Sequence, residues 1–125
     1  MKKLILLFAA LLVAGCGEKA ASDSAIKEAI EEAVDFEALE YRNGLRYQVN
    51  ESEPYSGWSK RMYFLSEQIE SLAHFKDGKL DGLATHWYKN GQKWLERTYK
   101  DGELISEKFW NPRGEEVETW QEAEE

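Results

Sequence analysis

The sequence is poor in the residues that form covalent cross-links, catalytic dyads and basic surfaces. Its 125 residues include one cysteine, two histidines and two prolines, with 16 basic residues against 24 acidic ones. One cysteine excludes an intramolecular disulfide framework and any zinc site built from two or four cysteines. The net charge of −8 argues against duplex DNA and anionic lipid surfaces, which proteins bind through lysine and arginine. The length allows one domain, for which we expect no nucleic-acid partner and no cofactor.

No apolar run in the sequence is long enough to span a bilayer. The longest, Leu4–Ala14, follows two lysines and would reach roughly 16 Å as a helix, about half of a ~30 Å hydrocarbon core. A basic start, a short apolar run and small residues at its end are typical of a secretory signal. The sequence VAGC at residues 13–16 resembles the lipobox of bacterial lipoproteins. The resemblance implies a signal peptide over residues 1–15, cleavage between Gly15 and Cys16, and lipid on the Cys16 sulfur.

Lipidation explains why a cysteine is needed at this position. A thiol can be alkylated to a stable thioether, and the freed α-amine of Cys16 can then be acylated. One acyl chain anchors a protein marginally, whereas two or three give stable attachment at about 0.8 kcal/mol per buried CH₂. We therefore expect a membrane attachment in the bacterial cell envelope, with residues 16–24 as a tether. In a Gram-negative cell Gly17, in place of the aspartate that retains lipoproteins at the inner membrane, favours the outer membrane.

An amphipathic helix is predicted over residues 25–36. Ile26, Ile30 and Val34 recur at intervals of four residues, and acidic residues occupy the other side. Such a stripe can dock on the domain or cover the edge of a sheet. A helix that lies on a membrane would carry lysine or arginine on its polar face, so the acidic face argues against that role.

The chain repeats itself from residue 41 to residue 120. Residues 68–80 align without gaps on residues 92–104, and the tetrapeptides that begin at Tyr41, Phe64 and Tyr88 and at Asn111 are 23 or 24 residues apart. A period of this size is typical of an array of small supersecondary units. The repeat domain is then followed by an acidic tail over residues 121–125.

Each unit is predicted to be a β-hairpin. Asn-Gly and Asp-Gly dipeptides supply positive φ at both central positions of a type I′ turn, and the segments between them are rich in aromatic residues. We expect a mainly β fold, an antiparallel meander of six to eight strands in stacked hairpins after one short helix. The predicted turn positions are Asn43, Gly44, Asp77, Gly78, Asn90, Gly91, Asp101, Gly102 and Gly114.

The recurring elements resemble the bacterial MORN-repeat variant, whose members are commonly labelled YwqK-family antitoxins of toxin–antitoxin systems. The similarity is specific in residues 75–102, with Lys-Asp-Gly-Lys-Leu-Asp-Gly-Leu and Tyr-Lys-Asn-Gly-Gln-Lys, and it covers residues 41 to about 120. The first two units depart from it, with residues 50–53 in place of Lys-Asp-Gly and Ser66-Glu67 in place of Asn-Gly. The resemblance implies hairpin repeats and a binding role. An exported, lipidated member would act as an immunity protein in the envelope rather than in the cytoplasm.

The sequence contains no pattern typical of a catalytic or metal site. His74 and His86 lie in predicted strands without a nucleophile elbow, and their counterparts in the neighbouring unit are Thr98 and Phe109. We therefore predict no catalytic residues and no metal ligands.

The aromatic residues are the feature most open to a functional interpretation. They can form the core of small hairpins, or one row can be exposed and bind a sugar or a protein. Trp94 is the candidate binding residue because its counterpart one unit earlier is Glu70. The expected function is protein–protein interaction through a non-catalytic domain. The alternatives are a YwqK-type antitoxin or immunity protein that binds a toxin, and a module that binds the cell wall or glycans.

Overall fold

The computed structural model describes residues 23–123. The predicted signal peptide, the Gly15–Cys16 cleavage site with its lipidation site, the tether up to residue 22, and residues 124–125 of the acidic tail lie outside the described residues.

The described residues form two short α-helices, one 3₁₀-helix and nine strands. In chain order these are α1 (Asp23–Glu32), β1 (Val34–Asp35), the 3₁₀-helix (Phe36–Ala38), β2 (Leu39–Arg42), β3 (Leu45–Gln48), β4 (Gly57–Met62), β5 (Ile69–Lys76), β6 (Lys79–Trp87), β7 (Lys93–Lys100), β8 (Glu103–Trp110), β9 (Glu116–Val117) and α2 (Trp120–Ala123).

The first helix differs in its bounds from the helix expected over residues 25–36. It begins at Asp23, whose carboxylate lies in the first turn where it complements the helix dipole, so the expected tether does not extend to residue 24. It ends at Glu32 because the next residues pair with the sheet: Val34 lies opposite Ser59 in a parallel ladder. The apolar periodicity continues past the helix end because Val34, the next residue of the stripe, is half-buried in β1.

The strands form a seven-stranded sheet and a separate two-stranded one. The large sheet has the order β1-β4-β5-β6-β7-β8-β9, and the small one pairs β2 with β3. The prediction of a mainly β fold, with antiparallel hairpins after one short helix, is confirmed at this level. Two features differ from a simple meander: β1 is parallel to β4, and the first hairpin does not join the large sheet.

The hairpin turns fall into two classes. Three connections have positive φ at both central residues, as a type I′ turn requires: Asn43-Gly44, Asp77-Gly78 and Asp101-Gly102. Asn90 departs from the prediction, because only Gly91 of its dipeptide has positive φ. In that loop the amide of Gly91 donates to the carbonyl of Tyr88 at 2.9 Å, so Asn90 occupies an ordinary turn position followed by a glycine.

The last predicted turn resembles the Asn90-Gly91 loop rather than the type I′ turns. Gly114 has a φ of +89°, and its amide donates to the carbonyl of Asn111 at 2.9 Å. The first tetrapeptide marker, at Tyr41, therefore ends in a different turn class from those at Tyr88 and Asn111.

The core lies between α1 and one face of the large sheet. Ala29 of the helix and Ala33, directly after its end, pack with Leu72 and Trp87 of the sheet. Ile26 is among the partly buried residues around them. The small helix residues bring the helix backbone close to the strands, so that large sheet residues fill the space between.

The C-terminal end is more ordered than the expected acidic tail. Residues 120–123 form α2, and Ala123 is 1% exposed. The Tyr88 hydroxyl lies 2.6 Å from the Ala123 carbonyl oxygen and 2.8 Å from that of Trp110. This hydroxyl holds the second helix against the sheet, so Ala123 is buried while Gln121 and Glu122 stay exposed.

The β8 strand is the open edge of the large sheet over most of its length. Its neighbour β9 pairs only with Phe109 and Trp110, and residues 103–108 are exposed. Thr98 lies opposite Ser106 but Tyr99 lies opposite Leu104, so one residue of β8 bulges out of the ladder at this edge.

Candidate functional site

A groove of about 560 Å³ opens on the face of the large sheet opposite α1. Its far wall is formed by Phe36, Tyr41 and Arg46 from the 3₁₀-helix and the small sheet. Because the β2–β3 hairpin does not join the large sheet, it can stand beside the strands and enclose a space with them. The two-sheet arrangement therefore creates the concavity.

Small side chains form the floor of the groove. Ser59, Ala73 and Ala84 lie directly opposite one another on β4, β5 and β6, and all three line the groove. Side chains alternate between the two faces of a strand, so this row faces the groove while Leu72 and Thr85 face away. Large residues at the three floor positions would fill the space.

Two arginines and an aromatic ring form the wall of the groove. The Arg46 guanidinium lies 4.6 Å from the Phe36 ring centroid and 4.9 Å from that of Tyr41. Arg61 lies 4.7 Å from the same Phe36 ring. Its buried Nε is 3.0 Å from Glu37 Oε2, an ion-pair contact without hydrogen-bond geometry. Stacking on rings holds the planar guanidinium groups in place and leaves their N–H donors directed to the sides.

The groove is basic although the chain is acidic. Its lining holds Arg46, Arg61 and Lys79 against the carboxylate of Asp101 among the residues that the structure describes. No carboxylate of residues 23–123 forms an ion pair with Arg46. A guanidinium held between two rings without an anionic partner is suited to bind a carboxylate in bidentate fashion.

His86 lines the groove, and its surroundings disfavour the charged form of the imidazole. Burial lowers the pKa of the imidazole, and the positive charges of Arg97 and Arg61 lower it further. Ser71 lies directly opposite on β5, but within residues 23–123 no hydrogen bond joins the two side chains. The imidazole instead lies 5.8 Å from the Trp94 ring. The geometry lacks the base-to-nucleophile hydrogen bond that marks an activated serine.

The predicted binding residue Trp94 lies beside the groove rather than in its lining. It is half-buried and packs against His86 and against Tyr88, whose ring centroid is 6.2 Å away. Trp87 pairs with Lys93 and His86 with Leu95, so Trp94 is the extra residue of a β-bulge. The bulge directs the indole to the same side as these two rings.

The comparisons with known proteins give no family for this chain. No protein-family model, curated protein or solved structure matches it. The site must therefore be interpreted from its own chemistry. Among the described residues, no group of three or more histidine, cysteine or acidic side chains is arranged to hold a metal ion, and no helix has the length and apolar character to cross a membrane.

Sequence reasoning missed the groove and its arginines. Phe36 falls inside the predicted helix but belongs to the 3₁₀-helix, and Arg46 and Arg61 come from different sheets. A weak signal was available: the strand segments carry arginine beside aromatic residues in an otherwise acidic chain. Only the folded structure places the guanidinium groups of Arg46 and Arg61 over the same ring, that of Phe36.

Proposed function

We propose that this chain is a lipid-anchored protein of the bacterial envelope whose non-catalytic domain binds a protein partner in the groove. The observation that carries the proposal is the Arg46 guanidinium, stacked between Phe36 and Tyr41 at the groove wall. Its chemistry selects an acidic partner. The open space between two sheets suits an extended peptide segment that carries glutamate or aspartate.

A repeat architecture of the MORN-like type is part of the proposal. Contacts that recur one unit apart support it. The amide of Gly78 donates to the Tyr55 carbonyl at 2.8 Å, and the amide of Gly102 donates to the Leu80 carbonyl at 2.8 Å.

A second recurrent contact comes from tyrosine hydroxyls at the other end of the sheet. The Tyr63 hydroxyl donates to the Trp87 carbonyl at 2.5 Å, and the Tyr88 hydroxyl lies 2.8 Å from the Trp110 carbonyl oxygen. Each contact joins one hairpin to the next, which is how a stacked array obtains its stability.

Membrane attachment through Cys16 is the third part of the proposal. It is supported by the basic start, the short apolar run and the VAGC sequence at residues 13–16. The envelope location follows from that attachment. A YwqK-type immunity protein is one form that a groove-binding function can take, with a toxin segment as the acidic partner.

The glycan-binding alternative has less support from the positions of the tryptophans. Trp87 is 8% exposed, Trp58 packs edge-on against His74 with 4.8 Å between ring centroids, and Trp94 is half-buried against two rings. A sugar platform needs an open aromatic face, and these three rings are engaged within the domain. Trp120 is 51% exposed but does not line the groove.

The proposal is tested by binding of peptides to the purified chain in detergent. We expect a glutamate-rich peptide to bind and a lysine-rich peptide of the same length to fail. Arg46→Gln should weaken binding about tenfold or more, because it removes a charge-assisted hydrogen bond of about 1.5–3 kcal/mol.

The matched control is Arg42→Gln, on the same hairpin. Arg42 also stacks on a ring, 4.0 Å from the Tyr47 centroid, but it pairs with Glu40 and does not line the groove. Equal losses in the two variants would show that general charge attraction, and not the groove, accounts for binding.

A further inference from the structure

The turn between β4 and β5 carries two large apolar side chains that the domain leaves in solvent. Phe64 and Leu65 are each 89% exposed, and the next most exposed large hydrophobic residue of the described chain is Tyr41 at 66%. The two residues are adjacent at the tip of the turn, so they form one continuous apolar projection. An apolar projection on an otherwise charged surface marks a contact site.

The backbone of this turn makes the leucine more unusual. Leu65 has a φ of +53°, and every other described residue with positive φ is glycine, asparagine or aspartate. A leucine in this conformation brings its Cβ close to the following carbonyl oxygen. Glycine or asparagine would form the turn with less strain. The side chain at position 65 is therefore not explained by folding.

The helix α1 begins at the same end of the sheet as this turn. Near the end of the helix, the Lys60 ammonium donates to the Ile30 carbonyl at 3.2 Å. Burial raises the pKa of the Tyr55 hydroxyl, and the nearby charge of Glu32 raises it further, so the last residue of the helix lies close to Tyr55. Near its start, Ile26 packs on the cluster that Ile69 also covers. Since β5 begins at Ile69, directly after the turn, the helix runs back from the turn end of the sheet.

The lipid attachment site and the apolar tip can thus reach one surface. Residues 17–22 separate Cys16 from the start of α1, and six residues span at most about 21 Å when extended. A chain anchored by its N-terminal lipid holds the turn end of the sheet close to the bilayer.

We propose that Phe64 and Leu65 insert into the bilayer and give the anchored domain a second point of attachment. This inference rests on the proposed lipidation of Cys16. The tip needs no anionic headgroup, because insertion of apolar side chains at the interface proceeds by hydrophobic burial. Two points of attachment would orient the sheet, with the Gly78 and Gly102 end of the groove directed away from the membrane.

The test places a reporter at the tip of the lipidated, full-length protein. Once the Cys16 sulfur is in a thioether, Phe64→Cys provides the free thiol for an environment-sensitive fluorophore. The labelled protein is reconstituted in phosphatidylcholine vesicles that contain lipids with a spin label on the acyl chain, which quenches fluorophores within the bilayer.

Two control positions share the label chemistry. Lys89→Cys follows Tyr88 in the neighbouring turn at the same end, as Phe64 follows Tyr63, because Tyr63 and Tyr88 open their loops with equivalent backbone hydrogen bonds. Lys76→Cys lies at the opposite end of the sheet. We expect quenching at position 64 to be roughly threefold or more above that at position 89, because the tip is buried below the headgroups, and to be absent at position 76. Adding Leu65→Asn, which keeps the turn conformation available, should reduce the quenching at position 64 by about half.

The outcomes distinguish a failure of membrane insertion by Phe64 and Leu65 from a failure of lipidation at Cys16. Quenching at position 64 no greater than at position 89, with lipid present on the N-terminal peptide by mass spectrometry, overturns insertion and leaves the anchor intact. A label at position 64 that becomes shielded without spin-label quenching assigns the tip to a protein contact and also overturns insertion. An N-terminal peptide without lipid overturns the anchor and, with it, the two-point attachment.

Discussion

Gly78 is a position where a single added methyl group should disrupt the contact between the small and the large sheet. Its φ is +83°, and a Cβ built there would lie 2.8 Å from Leu45 Cβ and 3.0 Å from Pro54 Cβ. Both neighbours belong to the first hairpin and the segment after it. Gly78 also joins the two sheets through its backbone, since its carbonyl accepts from the Arg46 amide at 3.0 Å. The turn between β5 and β6 therefore connects the large sheet to the small one.

The magnitude can be worked out by comparison with two equivalent turns. Gly44 and Gly102 have φ values of +84° and +85°, but a Cβ would meet nothing within 4 Å at Gly44 and only the Lys79 side chain, at 3.7 Å or more, at Gly102. At these two positions, alanine destabilises the fold by roughly 1–2 kcal/mol because of its left-handed backbone conformation. The lower conformational entropy of the unfolded chain offsets about 0.4–1 kcal/mol of this loss. Gly78→Ala adds overpacking of about 1–3 kcal/mol.

We therefore expect Gly78→Ala to lose roughly 2–4 kcal/mol of unfolding free energy, against about 1 kcal/mol for Gly44→Ala and Gly102→Ala. The assay is urea unfolding of the three variants, followed by tryptophan fluorescence. Amide hydrogen exchange at Arg46 should also accelerate in Gly78→Ala, because the methyl group pushes the hairpin from the turn. Equal losses of unfolding free energy in all three variants would refute the reasoning. They would show that backbone strain alone, without overpacking at Gly78, accounts for the destabilisation.

Two further predictions concern the end of the sheet that carries Tyr88 and His86. Tyr88→Phe should cost about 1–2 kcal/mol and release α2, seen as faster amide exchange at Ala123, whereas Tyr63→Phe should cost about 1 kcal/mol without that local effect. His86 has a pKa lowered by burial and then by Arg97 and Arg61, so the unfolded chain takes up a proton there before the folded chain does. Stability should thus fall as pH drops below about 6.5, and His86→Gln should lose less stability than the wild type between about pH 7.5 and pH 5.5. The role of Tyr88 would be contradicted if Tyr88→Phe left amide exchange at Ala123 unchanged. The role of His86 would be contradicted if the wild type and His86→Gln lost equal stability on acidification.

The hairpins could be predicted from the sequence because their signals are local. Asp77-Gly78 and Asp101-Gly102 specify a two-residue turn by φ preference alone, and the flanking aromatic and β-branched residues specify strands. Asn90-Gly91 carries the same letters but forms another loop, since the Asn90 side chain accepts from the Gln92 amide at 2.8 Å. A local asparagine turn of this kind competes with the type I′ geometry.

Features that depend on contacts between distant parts of the chain could not be predicted from local sequence patterns. Val34 looks helical by its spacing, but its pairing with Ser59 turns it into a strand. The groove requires the first hairpin to remain outside the large sheet, which is decided by hydrogen bonds such as that from the Tyr55 amide to the Arg46 carbonyl at 2.8 Å. Trp94 was singled out because its counterpart one unit earlier is Glu70, but its place in a bulge and its packing on His86 appear only in the fold.

The open edge of β8 has a consequence for a protein held at high density on a surface. Neighbouring copies confined to a plane meet far more often than copies in solution, and an unpaired strand is a template for sheet-to-sheet stacking. The register change opposite Thr98 and Tyr99 leaves Ile105 outside the ladder, which breaks the regular row of backbone donors and acceptors. Exposed Glu103 and Lys108 flank it with charge. With the proposed lipid anchor, copies crowded on a membrane would therefore not polymerise through this edge.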